Sequence, residues 1–381
     1  MVHPNQPNRP PWGQGGPPPA VWPPPQHPGA FRPSPYGFQP SAQWGPLSRP
    51  PAGFPPPGPH GVPSWPQPQP PRRSSTGLLV ALIVASGALL ALLALILIAP
   101  AGFSVDPQYR NEDYKVPPVS TNPPEFPIPE TEAEAARLLE DNPLYEQSLP
   151  APVRCEITVG KGSMSDAALE KDLQSYMTCL TRVWGPALEE AGFVAITPKV
   201  TVVPSGSPFQ SKCQVDAGPN AFFCLLDQRI FITRDIVDAV GSQASRARSV
   251  FHLILAHEYG HAVQGRAGIL GAGLYLQYHA ESKQEVLETS RRKEVQADAF
   301  AGLALNSLSH SLGITEQDRA EMLTMLYEIG DDQLRSRAGR NPDQEGDHGR
   351  GENRRLWGER GLTSSEVEVA NSFTAPASEV R

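Results

Sequence analysis

The chain has 381 residues and a formal net charge of −8, and all 40 of its acidic residues lie at or beyond Asp106. Its basic residues form no stripe interleaved with aromatic side chains. This excludes the common nucleic-acid-binding classes, so we predict no nucleic-acid partner. The change in composition near Asp106 predicts a chain built from parts of different character.

Residues 1–73 are dominated by proline, glycine and glutamine and contain no acidic residue. Such a segment cannot bury a core, so we predict a disordered tail with polyproline-II character. Three proline runs fit the grooves of SH3- or WW-like domains and predict a cytoplasmic partner: Pro17–Pro19, Pro23–Pro25 and Pro55–Pro57. The alternative is a solvated spacer with no dedicated partner.

Residues 77–99 carry no charged side chain and form an apolar stretch long enough to cross a bilayer. A buried core helix would keep a polar face, and a signal peptide would lie nearer the N-terminus. We therefore predict a single-pass anchor in the cell membrane. Arg72 and Arg73 precede the span and Asp106 follows it, which predicts a cytoplasmic N-terminus and an extracytoplasmic C-terminal part.

Beyond the span we predict a stalk or linker over residues 100–150, a folded domain over 151–360 and a flexible tail over 361–381. Hydrophobic periodicity predicts a helix in the domain, then strands, then two further helices, an order typical of the α+β class. The first helix and the strands are predicted at Asp166–Trp184, Lys199–Val203, Phe222–Leu226 and Arg229–Thr233.

The cysteines all lie on the outer side of the predicted span, at Cys155, Cys179, Cys213 and Cys224. An even number in an oxidising compartment predicts two disulfides. Cys213 with Cys224 would close a short loop and leave Cys155 with Cys179, although the sequence alone permits three pairings. A thiolate zinc site is the competing interpretation, but no C-x-x-C spacing supports it.

A His-Glu-Tyr-Gly-His motif begins at His257 and follows a mostly apolar helical stretch. His257 and His261 are four residues apart, so one helix face presents both imidazoles to a single metal ion. Glu258 is rotated off that face but lies beside the metal's remaining position, where it can take a proton from water. This spacing predicts a zinc-dependent peptidase with Glu258 as the general base.

A second helix is predicted over Lys283–Leu308, and it carries Glu294 and Asp298, again four residues apart. We predict Glu294 as the third zinc ligand and Asp298 as the acceptor that holds one histidine in the correct tautomer. The basic run Arg291–Lys293 is predicted to form the solvated face of this helix.

These two motifs resemble the putative neutral zinc metallopeptidase family, which is of the gluzincin type. The resemblance extends from about Cys179 to Trp357, with departures at Ala262 and Ala299, where the family often has histidine and cysteine. It implies a zincin-like α+β domain, a Zn2+ cofactor and a peptide or protein substrate.

The resemblance also reaches a segment near the C-terminus that contains His348 and Arg354. It implies that His348 donates a hydrogen bond to the reacting oxyanion and that Arg354 supports the metal ligands or binds substrate. The alternative is a solvated basic tail.

The sequence thus predicts a membrane-anchored zinc metalloendopeptidase. The alternative function is a membrane-tethered scaffold or binding protein, in which zinc stabilises the fold and the proline-rich tail recruits a partner. Glu258 separates the two hypotheses, because a structural zinc site has no need of a base beside an open position.

Overall fold

The computed structural model describes residues 108–157, 164–213, 220–241 and 247–381. The predicted tail over 1–73 and the predicted span over 77–99 lie outside these ranges. Among the residues described, no helix combines the length and apolar character needed to cross a membrane.

The described chain is rich in helices and contains one small sheet, which fits the predicted α+β zincin-like domain. The helices are α1 Glu132–Glu140, α2 Asp166–Glu190, α3 Arg234–Gly241, α4 Ala247–Arg266, α5 Ile269–His279, α6 Lys283–Leu312, α7 Glu316–Glu328, α8 Asp331–Arg337 and α9 Gly351–Leu362. The strands are β1 Lys199–Val203, β2 Ala221–Cys224 and β3 Arg229–Thr233, and short 3-10 helices cover Pro143–Glu146, Val367–Ala370 and Ala377–Glu379.

The sheet has the strand order β1-β3-β2, with β1 parallel and β2 antiparallel to the central strand β3. Helix α2 covers the outer edge of β1, where the Gln174 and Glu170 side chains accept the N–H groups of Val200 and Val202, each at 3.1 Å. Side chains thus satisfy the outer edge of β1, and the other edge strand, β2, lies beside helix α4.

Two glycines allow α6 to approach its neighbours closely. A Cβ atom on Gly260 of α4 would lie 3.1 Å from the carbonyl oxygen of Ala297 in α6, and one on Gly302 of α6 would lie 2.6 Å from the carbonyl oxygen of Gly358 in α9. Because both neighbours are backbone atoms, a larger side chain would push the helices apart. The contacts of α6 with α4 and α9 therefore depend on these small residues.

Both disulfides predicted as the favoured pairing are present, Cys155–Cys179 and Cys213–Cys224. The first ties the chain before α2 to that helix. The second ties the loop after β1 to β2, where it encloses a small apolar cluster around Phe222 and Phe231. All four cysteines are therefore oxidised, and the thiolate zinc interpretation is wrong.

The folded unit extends beyond residues 151–360 at both ends. In the predicted stalk, Leu139 and Leu144 are buried in the main core, and the Asn142 amide donates to the carbonyl of Ala267 at 2.9 Å. The predicted flexible tail over 361–381 is wrong, because Ala370 and Val380 are fully buried. This tail packs along α6 and α9 through contacts that no local pattern encodes.

The predicted solvated face over Arg291–Lys293 is also wrong. Arg291 is 2% exposed and Lys293 is 1% exposed. Arg291 donates to the carbonyls of Gly346 and Val380, while the ammonium of Lys293 donates to the Gln277 side chain. The buried N–H groups of Arg291 and Lys293 thus find their hydrogen-bond acceptors on other segments of the chain.

We expect Gly302→Ala to lower the free energy of unfolding by about 1–3 kcal/mol, because the added methyl meets the backbone of α9. The comparison is Gly273→Ala, where a smaller loss is expected because the added methyl would meet side-chain carbons of the buried Lys293, which can shift more easily than backbone atoms. Urea denaturation of both variants measures the difference, and an equal loss of stability in the two would contradict the proposed helix contact.

Candidate metal centre

Helices α4 and α6 bring three metal-binding side chains together. The Nε2 atom of His257 lies 3.4 Å from one carboxylate oxygen of Glu294, and Nε2 of His261 lies 3.6 Å from the other. The ligand atoms all lie within 4.8 Å of one another, and all three residues are buried. Two imidazole nitrogens and one carboxylate oxygen are a donor set that suits zinc, so the residues fit the metal that the motifs predict.

Asp298 contacts Nδ1 of His257, on the side of the ring away from the other ligands. Its carboxylate lies 2.8 Å from Nδ1 of His257 and accepts two further hydrogen bonds at 2.8 Å from the Arg354 guanidinium on α9. Burial alone would raise the pKa of Asp298, but the charge of Arg354 and the hydrogen bond from His257 bring it below its ordinary value. Asp298 is therefore ionised and accepts from Nδ1 of His257, so Nε2 is the ring atom that faces Glu294 and the metal position.

The predicted base Glu258 is 4% exposed and lies between the ligands and the sheet. One carboxylate oxygen accepts the backbone N–H of Phe223 in β2 at 2.8 Å. Burial raises the pKa of Glu258 to about 8, although the charge of His257 and the hydrogen bond from Phe223 oppose this. A divalent cation at the three ligands would lower the pKa again by charge attraction.

His348 lies in the loop between α8 and α9, and two aspartates orient it. Its Nδ1 atom is 2.8 Å from the Asp347 carboxylate, and its backbone N–H donates to Asp331 at 2.9 Å. Burial lowers the pKa of His348, but the hydrogen bond to Asp347 and the charge of Glu294 raise it to about 9. His348 is therefore close enough to Glu294 for the two charges to interact.

The same three residues, Asp331, Asp347 and His348, also have ligand atoms within 4.8 Å of one another. Their hydrogen bonds account for this grouping as a device that orients His348, since Asp331 also accepts the N–H of Gly349 at 3.0 Å. The interpretation of this region as a solvated basic tail is wrong, because Arg354 is 1% exposed and contacts the carboxylate behind His257.

Four residues that contact this site were not predicted from the sequence. Asp331 and Asp347 orient His348, while Gln264 and Gln296 connect to His261. Helical spacing offered a signal for Gln264, which lies three residues after His261, but not for Gln296, because residues two apart on a helix do not share a face. No comparable signal marks the aspartates, which lie in loops or at a helix start.

A family model described as putative neutral zinc metallopeptidase matches residues 143–373, which is more than half of the 381-residue chain. The chain belongs to this family. Membership implies a Zn2+ cofactor, and the three ligand residues described above are the ones placed to hold it.

Two relatives of the chain are described as uncharacterized proteins. The chain is 31% identical to YpfJ of Escherichia coli K12 over 198 residues, which cover 50% of this chain and 66% of YpfJ. It is 25% identical to Mb2605 of Mycobacterium bovis over 173 residues, which cover 42% of this chain and 56% of Mb2605. The matches thus span less than two thirds of either relative. No solved structure matches the chain.

We expect Arg354→Met to weaken zinc binding by about 10- to 100-fold, because it leaves the buried Asp298 carboxylate without its counter-ion and loosens His257. The matched control is Arg355→Met, the next residue on α9, whose side chain is 45% exposed and pairs only at the surface. Competition with a chromophoric chelator measures the affinity. Equal affinity in both variants would show that Arg354 does not support the metal ligands.

Proposed function

We propose that this protein is a membrane-anchored zinc metalloendopeptidase that uses Glu258 as its general base. The observation that carries the proposal is the position of Glu258, a buried carboxylate next in sequence to one ligand and hydrogen-bonded to the sheet edge. The alternative, a tethered scaffold with structural zinc, has no use for such a group beside the metal.

His257, His261 and Glu294 would hold zinc, and the bound ion would supply Lewis-acid chemistry that lowers the pKa of water and polarises the scissile carbonyl. Glu258 takes the proton from the attacking water and passes it to the leaving amine. His348, oriented by Asp347 and Asp331, donates a hydrogen bond to the substrate oxygen on which negative charge develops. Asp298 and Arg354 keep His257 in the orientation that metal binding requires.

The substrate in this proposal is a peptide or protein, which the family description supports. Strand β2 is fully buried, and Glu258 already accepts the N–H of Phe223. This strand therefore supports the base from the sheet side and is not a free edge to which a peptide could add.

The membrane location rests on the apolar stretch over residues 77–99 and on the positive charges before it. The two disulfides agree with an extracytoplasmic catalytic domain, because such bonds persist in oxidising compartments. A cytoplasmic SH3- or WW-like partner of residues 1–73 is supported by the proline runs alone.

We expect Glu258→Gln to retain one zinc per chain and the native fold but to lower peptide hydrolysis by about 100- to 10,000-fold, because the amide cannot accept the proton from water. The matched control is Glu281→Gln, which changes an exposed glutamate and is expected to leave both properties unchanged. Metal content by mass spectrometry and digestion of a peptide library test all three proteins. Zinc in every protein without cleavage by any would favour the scaffold.

We expect the full chain to sediment with membranes and a chain lacking residues 77–99 to remain in the soluble fraction, because the deletion removes the apolar span. The comparison uses ultracentrifugation of lysates followed by immunoblotting, with a deletion of the proline-rich residues 40–62 as the control that keeps the span. Recovery of the full chain in the soluble fraction would contradict the anchor.

A further inference from the structure

The two histidine ligands are supported in different ways. His257 has the ionised Asp298 behind it, whereas Nδ1 of His261 lies 2.8 Å from the side-chain amide oxygen of Gln264. A carboxylate can only accept a hydrogen bond, so Asp298 fixes the tautomer of His257 by itself. An amide carries both an acceptor and a donor, so Gln264 fixes the tautomer of His261 only if something fixes the amide.

The backbone of α6 fixes the amide of Gln264. Its nitrogen donates to the carbonyl oxygen of Lys293 at 2.7 Å and to the side-chain oxygen of Gln296 at 2.9 Å. The Lys293 carbonyl has no proton to give, so the NH2 group of Gln264 must face it. The oxygen of Gln264 must then face His261, and Nδ1 of His261 must be the donor.

The orientation of the Gln296 amide is fixed in the same way. Its nitrogen donates to the carbonyl oxygen of Ala370 at 3.1 Å and to the hydroxyl oxygen of Tyr145 at 2.8 Å. The Tyr145 hydroxyl in turn donates to the carbonyl oxygen of Leu139 at 3.0 Å. Every hydrogen bond in the series from His261 through Gln264, Gln296 and Tyr145 therefore has one permitted direction.

Burial makes that direction costly to reverse. Gln264 and Gln296 are fully buried, and Tyr145 is 7% exposed. Turning either amide over would place its oxygen against a buried carbonyl oxygen, that of Lys293 or that of Ala370, which has no proton to donate. The network thus has a single low-energy arrangement.

We propose that Gln264 and Gln296 are positioning residues, which form a directed amide relay that holds His261 as the Nδ1–H tautomer. This tautomer leaves the Nε2 lone pair directed at Glu294, where the metal binds. The inference rests on the zinc site and not on the peptidase mechanism, so its test reads metal affinity and tautomer state. If the protein proved to be a scaffold without peptidase activity, the positioning role of the two glutamines would still be tested by zinc affinity.

The test compares three glutamine variants of the full chain in detergent. Gln264→Met removes the acceptor of His261, and Gln296→Met removes the second member of the relay while leaving that acceptor in place. The control is Gln174→Met, since Gln174 also makes two backbone hydrogen bonds, to Pro198 and Val200, but lies at the outer sheet edge.

Competition with a chromophoric chelator measures zinc affinity, and thermal denaturation monitors the fold. We expect Gln264→Met to weaken zinc binding by about 10- to 100-fold, Gln296→Met to weaken it by a smaller factor, and Gln174→Met to leave it unchanged. An affinity equal to that of the wild type in both relay variants would overturn the proposal. If Gln264→Met fails to fold, Gln296→Met decides the outcome alone.

The tautomer itself gives a readout that a purely structural role would not change. With 15N-labelled histidine in the zinc-free protein, where no metal imposes the tautomer, we expect the wild type to show slowly exchanging Nδ1–H protons on both His257 and His261. In Gln264→Met the signal of His261 should be lost while that of His257 persists. A wild-type His261 protonated at Nε2, or a His261 signal unchanged in Gln264→Met, would overturn the relay.

Discussion

The carboxylate of Asp298 has no exposed surface, and it is stable there because His257 on α4 and Arg354 on α9 both donate to it. Three helices meet at this one buried charge. Removing either partner would leave a charge uncompensated in the protein interior, a loss of several kcal/mol. The close approach of the helices, permitted by Gly260 and Gly302, is therefore required by the metal site as much as by the core. Fold stability and metal binding depend on the same contact.

The sheet is small, yet a polar side chain satisfies a backbone N–H at each of its edges. Gln174 does so on β1, and Glu258 accepts the N–H of Phe223 on β2. At β1 this contact blocks an unwanted pairing surface. At β2 the same kind of contact fixes the distance between the edge strand and the metal ligands. Because β2 is fully buried, this hydrogen bond makes the sheet a support for the base.

The part of the site that the sequence predicts is the part encoded by helical spacing. His257 and His261, and then Glu294 and Asp298, follow from residues four apart on two helices, and the structure brings these side chains together. The buried C-terminal segment around Val380 was missed, because its short polar sequence carries no periodic signal and its burial comes from contacts with distant helices. Arg291 and Lys293 were placed in solvent for the same reason. Their hydrogen-bond partners lie on other segments, and hydrophobicity patterns do not report such partners.

The direction of the relay behind His261 depends on carbonyl groups that neither motif contains. Ala370 lies near the C-terminal limit of the residues that the family model matches, and Leu139 lies before their start. The motif segments contain the ligands and both glutamines, but a glutamine side chain by itself does not determine the orientation of its amide group. The flanking segments determine that orientation, because their carbonyl groups can only accept hydrogen bonds. The segments that pack around α6 and supply these carbonyls therefore belong to the metal site. The orientation of the His261 ring depends on their position against α6.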